Sequence, residues 1–343
     1  MIAFAGEAHR LHDPPYSFRR GLLAEPFERP ARVDELRAAL ADLDITVHSP
    51  VEHELGALSH THTPDLIHFL RTGWAEARRR GAPEVLIPDI FAHERLVPRV
   101  RNRSDVAEPA RPGSMCFDCS SPLLEGTWIA AAQAADLALS AAEAVAAGEH
   151  SAYALCRPPG HHAGADFYGG FCYLNNAAIA ARHLQRIGRR VAVLDLDIHH
   201  GNGTQAIFWN DPEVLSISIH QHPSYGYPYF AGYPDEEGGS EALGANRNLT
   251  LNKGCDDRAY ARVLDIALDQ VQSFGADVLV VPLGLDGHMA DPLAETALTA
   301  SGYAAFGASI GALRLQTVIV QEGGYATAVL RDSLRCFLGG MAR

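Results

Sequence analysis

Five short runs constrain this chain more than any other feature: "AYALC" (152–156), "RVAVLDL" (190–196), "VLSISI" (214–219), "DVLVVPLG" (277–284) and "TVIVQEGG" (317–324). Each has the length of a strand and is apolar at nearly every position. A strand with one wet face alternates apolar and polar residues, whereas one buried on both faces is apolar throughout. Helical segments near 173–187, 257–273, 302–313 and 326–338 lie among these runs. Strands that alternate with helices make a parallel sheet covered on both faces, so the fold class is α/β. Upstream, "ARVDELRAALADL" (31–43) predicts a helix followed by a strand in "ITVHSP". "TPDLIHFLRTGWAEARRR" (63–80) predicts a second helix, with Thr63 as N-cap and Pro64 in the first turn. "GTWIAAAQAADLALSAAEAVAAG" (126–148) predicts an Ala-rich third one ending at Gly148. No internal repeat or linker is visible, which predicts one domain over residues 1–343.

One stretch breaks the rhythm. Residues 84–123 hold four prolines before Gly113 and little periodicity. Their Ile, Phe, Leu and Val content argues against disorder and for a lid or a subunit contact. The rest of the composition excludes more than it assigns. With 47% apolar and 20% charged residues, the chain reads as a globular protein with a large core. No run approaches the ~20 apolar residues of a membrane span. The N-terminal stretch has no basic region followed by a long apolar one, so no signal peptide is expected. A net charge of −13 argues against a nucleic-acid partner. Six cysteines in 343 residues are too few for a disulfide framework and predict reduced thiols in the cytoplasm.

In a parallel α/β sheet the site lies outside the carboxyl ends of the strands. After 152–156 comes "RPPGHHAG", with His161 and His162. After 190–194 come Asp195, Asp197, His199 and His200. His220 follows 214–219, Asp286 follows 277–283, and "EGGY", ending in Tyr325, follows 317–321. Asp197 and His199 are two apart, which in extended backbone aims them to one side. With Asp286 they form two carboxylates and one imidazole, a donor set suited to zinc, iron or cobalt. Three protein ligands leave a position open for water and substrate. His161 and His162 are then an acid and base beside the metal. Asp195 beside His161 favours an imidazolium, whereas Asn202 beside His162 holds the ring without adding charge. Tyr325, on a glycine turn, offers a phenol donor to an oxyanion.

The motifs "RPPGHHA", "GGFCYLNNAAIAA", "LDLDIHHGNGTQ", "SISIH", "GLDGHMADP" and "EGGY" resemble, in order and spacing, the histone-deacetylase-like branch of the arginase–deacetylase superfamily. The resemblance implies a single-domain, three-layer α/β/α fold with a mainly parallel central sheet of about eight strands. It implies zinc-dependent amide hydrolysis that releases acetate from an acylated amine, with one zinc on Asp197, His199 and Asp286. It pairs His161 with Asp195 and His162 with Asn202, and makes Tyr325 the carbonyl-polarising donor. Phe171 and Tyr227, with Gly170 beside them, become the walls of a narrow channel. Asp195, Asp197, His199, Ser218 and Ile219 sit where the family binds a structural potassium.

Within that branch the chain is most similar to the bacterial acetylpolyamine amidohydrolases, in "SHTHTPDLIHFLRTGW", in segment 84–123, in "LEGTW" and in "YPYFAGYPDEEG". The resemblance implies that 84–123 is an entrance and homodimer insertion. The rim departs from the polyamine type. Position 17 is Ser, Glu108 is the nearest acid in the second rim region, and Leu293 stands where eukaryotic polyamine-selective relatives carry glutamate. Asp118 matches an aspartate with which protein deacetylases grip substrate backbone. Arg19 and Arg20 would repel a polycation if they faced the site. Protein acetyl-lysine deacylation, another small amide, a non-catalytic acyl- or metal-binding module and a two-metal arginase-like enzyme are the rival readings. The retained ligands and Tyr325 argue against the binding module, and the single carboxylate of "GLDGH" argues against two metals. The pair Cys116 and Cys119 offers a redox or zinc site but has no second pair to match it.

Overall fold

The computed structural model describes residues 1–19, 21–93 and 110–342. Its strands are β1 (Ile2–Phe4), β2 (Ser17–Arg19), β3 (Leu22–Ala24), β4 (Val47–His48), β5 (Ser151–Ala154), β6 (Val191–Asp195), β7 (Val214–Gln221), β8 (Asn246–Leu251), β9 (Val278–Leu283) and β10 (Gln316–Gln321). Eight of them form one sheet in the order β4-β1-β5-β10-β9-β6-β7-β8, and every pairing in it is parallel. β2 and β3 form a separate antiparallel hairpin.

The continuous apolar runs have a direct cause. In β6, Ala192 and Leu194 enter the core on one face, and Val191 and Val193 enter the core on the other. β9 divides in the same way, Leu279, Val281 and Leu283 against Val278 and Val280. Each fully buried Val or Leu contributes roughly 1.5–3 kcal/mol of transfer free energy, so neither face tolerates a polar residue cheaply. The first face is covered by α1 (Ala31–Asp42) and by three later helices, Asp257–Phe274, Ala300–Ala312 and Thr327–Met341. The second is covered by helices Thr127–Ala146 and Asn176–Arg186, whose alanines allow close approach to the sheet. A third cluster packs helix Pro64–Arg79 against Cys116, Leu123, Tyr168 and Tyr173.

Thr63 caps the Pro64–Arg79 helix as expected, accepting the Leu66 N–H at 3.3 Å. Helix Thr127–Ala146 has the length and composition to cross a membrane, against the expectation that no segment does. Most of its apolar stretch, 61%, is buried inside the protein, where it is a core helix. Of segment 84–123, residues 94–109 lie outside the described ones. The described part holds a short helix, Arg111–Met115, and a bridge between Leu86 and Leu123.

Candidate active site

The central strands deliver their carboxyl ends to one place. β6 ends at Asp195, and the chain then bends sharply instead of continuing extended. The carboxylates make the bend. Asp195 Oδ1 accepts the Asp197 N–H at 3.0 Å, and Asp197 Oδ1 accepts the His199 N–H at 2.9 Å. Asp197 and His199 therefore do meet, through a carboxylate-bonded turn, and the extended-backbone argument for their meeting is corrected. His199 Nδ1 lies 3.0 Å from Asp197 Oδ1 and 3.0 Å from Asp286 Oδ2. Each of Asp197, His199 and Asp286 offers one donor atom within 4.8 Å of the others, and all three residues are buried. Gly323 follows β10 and donates its N–H to Asp197 Oδ2 at 2.8 Å. A Cβ there would stand 2.2 Å from Asp286 Oδ2 and 2.6 Å from Asp197 Oδ2, so a larger residue would break up the cluster.

The electrostatics of this cluster suit a bound cation. Burial, and then the neighbouring Asp197, push Asp286 up to about 7. Burial opposes the charge on Asp197 and His199 as well. His161 and His199 nevertheless hold Asp197 below the usual carboxylate range, and Asp286 and Asp197 hold His199 well above the usual imidazole range. Two buried carboxylates crowding one imidazole bind a proton in the absence of a better cation. A divalent ion suits the same donors.

His161 and His162 stand beside the cluster with ring centroids 4.0 Å apart. His161 Nδ1 is 3.0 Å from Asp195 Oδ2, and His162 Nδ1 is 2.7 Å from Asn202 Oδ1. Burial lowers the pKa of both rings. For His161, Asp197 and Asp195 overcome burial and raise it to about 10. For His162, burial is reinforced by the positive His161 and His199, and its pKa falls well below the ordinary value. The pair therefore holds one imidazolium and one neutral ring. The amide oxygen of Asn202 accepts the Nδ1 proton of His162, which leaves Nε2 as the free base.

Tyr325 follows Gly323 and Gly324. Its N–H and that of Ala326 donate to Asp291 Oδ2, at 2.6 and 3.1 Å. The Phe171 ring meets it edge-on at 5.5 Å, with Phe171 itself at a φ of +67°. The Tyr227 ring lies 4.9 Å from that of His162 and 6.3 Å from that of His199. Gly170 adopts a φ of +60°, and a Cβ there would lie 2.4 Å from His162 Cδ2. Ser218 and Ile219 lie in β7, beside Asp195 of β6. The Ser218 hydroxyl donates to His220 Nδ1 at 2.8 Å.

The outer residues divide. Leu293 is partly buried, and its N–H donates to Asp291 Oδ1 at 3.0 Å, so it shares a carboxylate with Tyr325. Asp118 is bonded to Ser120, Gly170 and Tyr227. Ser17 lies in the β2–β3 hairpin and bonds to the Ala24 carbonyl. Arg19 stacks over the Phe27 ring at 4.4 Å. Glu108 and Arg20 lie outside the described residues. Cys116 and Cys119 are free thiols, and among the described residues they join no cluster with metal-ligand spacing.

Sequence reasoning missed the shell behind the site. Glu322, directly after β10, is fully buried, and its Oε2 accepts the Gly160 N–H at 2.6 Å and the His161 N–H at 3.1 Å. Burial raises its pKa to about 8. Arg32 is buried, paired with Glu28 at 2.7 Å, and donates to the Gly324 carbonyl and, at 2.6 Å, to the Glu322 carbonyl. Its guanidinium lies 4.9 Å over the Tyr325 ring. Arg157 joins the same Glu28 carboxylate at 2.8 Å. The one available sequence signal was the glutamate of "EGGY", a charge at the end of an apolar run.

Residues 26–341 match the histone deacetylase domain. The chain belongs to the histone deacetylase family. Acetylpolyamine amidohydrolase of Burkholderia pseudomallei (strain 1710b) is 42% identical over 342 residues, covering 99% of this chain and 98% of its own length. Acetylpolyamine amidohydrolase 2 of Pseudomonas aeruginosa is 38% identical over 328 residues, covering 95% and 94%. The crystal structure of acetylpolyamine aminohydrolase from Burkholderia pseudomallei superposes with a TM-score of 0.94 at 41% identity, covering 100% of this chain and 98% of that one. The parallel eight-stranded sheet and its flanking helices are thus the fold expected of the family.

Proposed function

We propose that this histone deacetylase family member is a zinc-dependent acetylpolyamine amidohydrolase, cleaving acetate from the acylated end of a small amine. One observation carries the reading. A buried two-carboxylate, one-imidazole cluster stands beside one positive and one neutral histidine, and Tyr325 stands two residues after Gly323, whose N–H donates to Asp197 of that cluster. Asp197, His199 and Asp286 would hold the zinc, one ion per chain. Bound there, zinc supplies Lewis-acid polarisation of the acyl carbonyl and acidifies water.

The rest falls to the chain's own residues. His162, neutral and with Nε2 free, takes a proton from the attacking water. His161, positive beside Asp195, gives a proton to the leaving amine as the C–N bond breaks. The products are a carboxylic acid and a free amine. The Tyr325 hydroxyl donates to the carbonyl oxygen as negative charge develops on it. Phe171 and Tyr227 flank the acyl-amine stem, with Gly170 leaving room beside His162. Ser218, Asp195, Asp197, His199 and the Ile219 carbonyl would hold a structural potassium. Segment 84–123 would build a homodimer contact at the entrance, a role that fits Ile90, an exposed apolar residue in its described part. The free cysteines fit the reducing cytoplasm.

Steady-state kinetics on acetylputrescine, acetylspermidine and an acetyl-lysine peptide test the reading. The acetylpolyamines should give the higher kcat/KM. A preference for the peptide would move the assignment to protein deacylation, and no activity on any of them would overturn it.

A further inference from the structure

Asp118 carries a carboxylate whose Oδ2 its own chain has used up. Oδ1 accepts the Ser120 N–H at 3.0 Å. Oδ2 accepts the Ser120 hydroxyl at 2.6 Å, the Gly170 N–H at 3.2 Å and the Tyr227 hydroxyl at 2.8 Å. A carboxylate has about four lone-pair sites over two oxygens, and Oδ2 already has more donors than lone pairs. These donors come from three segments far apart in sequence, and the packing around them is continuous. The Phe117 N–H donates to the Tyr168 carbonyl at 3.0 Å, and the Tyr168 N–H to the Met115 carbonyl at 2.8 Å. The Phe117 ring stacks on that of Tyr227 at 6.3 Å, and Tyr227 stands edge-on to His162.

A residue that grips a substrate N–H or a distal ammonium needs a free oxygen turned to the channel. Here the oxygen nearest the channel wall is saturated. Resting on the amidohydrolase reading above, we propose that Asp118 is a positioning residue. It locks Tyr227 and the Gly170–Phe171 turn, the two walls of the acyl-amine channel, in register with His162, and it does not contact the amine. What it supplies is an acceptor at Oδ2, not a charge for the substrate. This also gives segment 110–123 a route to the chemistry, since through Asp118 that segment bonds to Gly170 and Tyr227.

The test is a set of variants on paired substrates, N-acetylputrescine, which is cationic, and N-butylacetamide, which is neutral and of similar length. Asp118→Ala leaves the Gly170 N–H and the Tyr227 hydroxyl without their acceptor. It should lower kcat by roughly 10–100-fold on both substrates, with KM changed much less, as expected of a displaced wall. Asp118→Asn can place its amide oxygen where Oδ2 stood, and should stay within about 5-fold of wild type. Tyr227→Phe should show part of the alanine defect, and the double variant Asp118→Ala/Tyr227→Phe should be no worse than Asp118→Ala alone. The inference is overturned if the asparagine variant falls as far as the alanine variant, in KM and on the cationic substrate alone. It is equally overturned if the alanine and phenylalanine effects multiply. Should Asp118→Ala fail to fold, Asp118→Asn on the two substrates gives the same decision. A wild type active on neither substrate sinks the amidohydrolase reading itself and this inference with it. A wild type active on both, with additive variants, sinks the inference only.

Discussion

Replacing Tyr325 with Phe removes one oxygen and nothing else that the fold uses. The Tyr325 N–H bond to Asp291 at 2.6 Å is a backbone bond and survives. The ring contacts, Arg32 at 4.9 Å and Phe171 at 5.5 Å, are equally available to Phe. Among the described residues the hydroxyl itself has no hydrogen-bond partner, so no buried group is orphaned by its loss. Stability should therefore change by less than ~0.5 kcal/mol, the range of substitutions that break no named interaction. The phenol pKa is pushed well above its ordinary value by burial, so the wild-type group is a protonated donor across the usable pH range. If it donates only to the developing oxyanion, its removal should lower kcat and kcat/KM together by roughly 10²–10³. Melting temperature, bound zinc and steady-state kinetics on one preparation measure all three quantities. A stable, zinc-loaded Tyr325→Phe enzyme with wild-type turnover would refute the assignment. So would a destabilised variant with near-normal turnover per folded molecule, because Tyr325 would then be a packing residue.

Asp286→Ala removes one of three donors and the acceptor of the Ile198 N–H, and elemental analysis should find no zinc and assays no turnover; a zinc-loaded active variant would end the proposal. His62 is buried, bonded through Nδ1 to the Gly164 carbonyl and through Nε2 to the Asn175 N–H, and burial lowers its pKa to about 4. The unfolded chain binds this proton near pH 6.5 and the folded one only near pH 4, so the contribution is complete above 6.5. It fades as pH falls toward 4, by at most roughly 3.5 kcal/mol. The melting-temperature gap between wild type and His62→Asn should shrink from pH 7 to pH 5, and a constant gap would refute this. The wild type should sediment as a dimer at micromolar concentration, and a monomer would remove the interface role of segment 84–123.

How much of this could be read beforehand follows from chain locality. The strand ends were legible because each apolar run ends in the polar residues that serve the site, and the pairs His161–Asp195 and His162–Asn202 could be named from them. Glu28, Arg32 and Arg157 were not legible. Their partners lie up to 292 positions away, and Arg32 sits in a helix that reads as an ordinary surface helix. Only burial shows that its charge is committed to Glu28 and to the carbonyls of Glu322 and Gly324, which fix the turn carrying Tyr325. β1 and β8 were missed for a different reason. β1 has three residues, and β8, "NRNLTL", is a partly exposed edge strand whose asparagines bond to side chains and loops beyond the sheet.

The turn at Asp197 shows why a correct pairing can rest on the wrong geometry. A spacing of two puts side chains on one side only if the backbone stays extended, and here it bends. The bend exists because Asp195 and Asp197 each bond forward to the N–H two residues on. Short acidic side chains do this readily, and it competes with continued strand. The same oxygens are then half spent on the backbone. Asp197 Oδ1 holds the His199 N–H while Oδ2 holds the Gly323 N–H, so neither can swing away from the cluster. Asp286 Oδ1 is tied to the Ile198 N–H in the same manner. Backbone donors from the turns after β6 and β10 thus hold the carboxylates together against their mutual repulsion before any cation arrives. The donor atoms of Asp197, His199 and Asp286 are thereby kept within 4.8 Å of one another, the spacing that the proposed metal site needs.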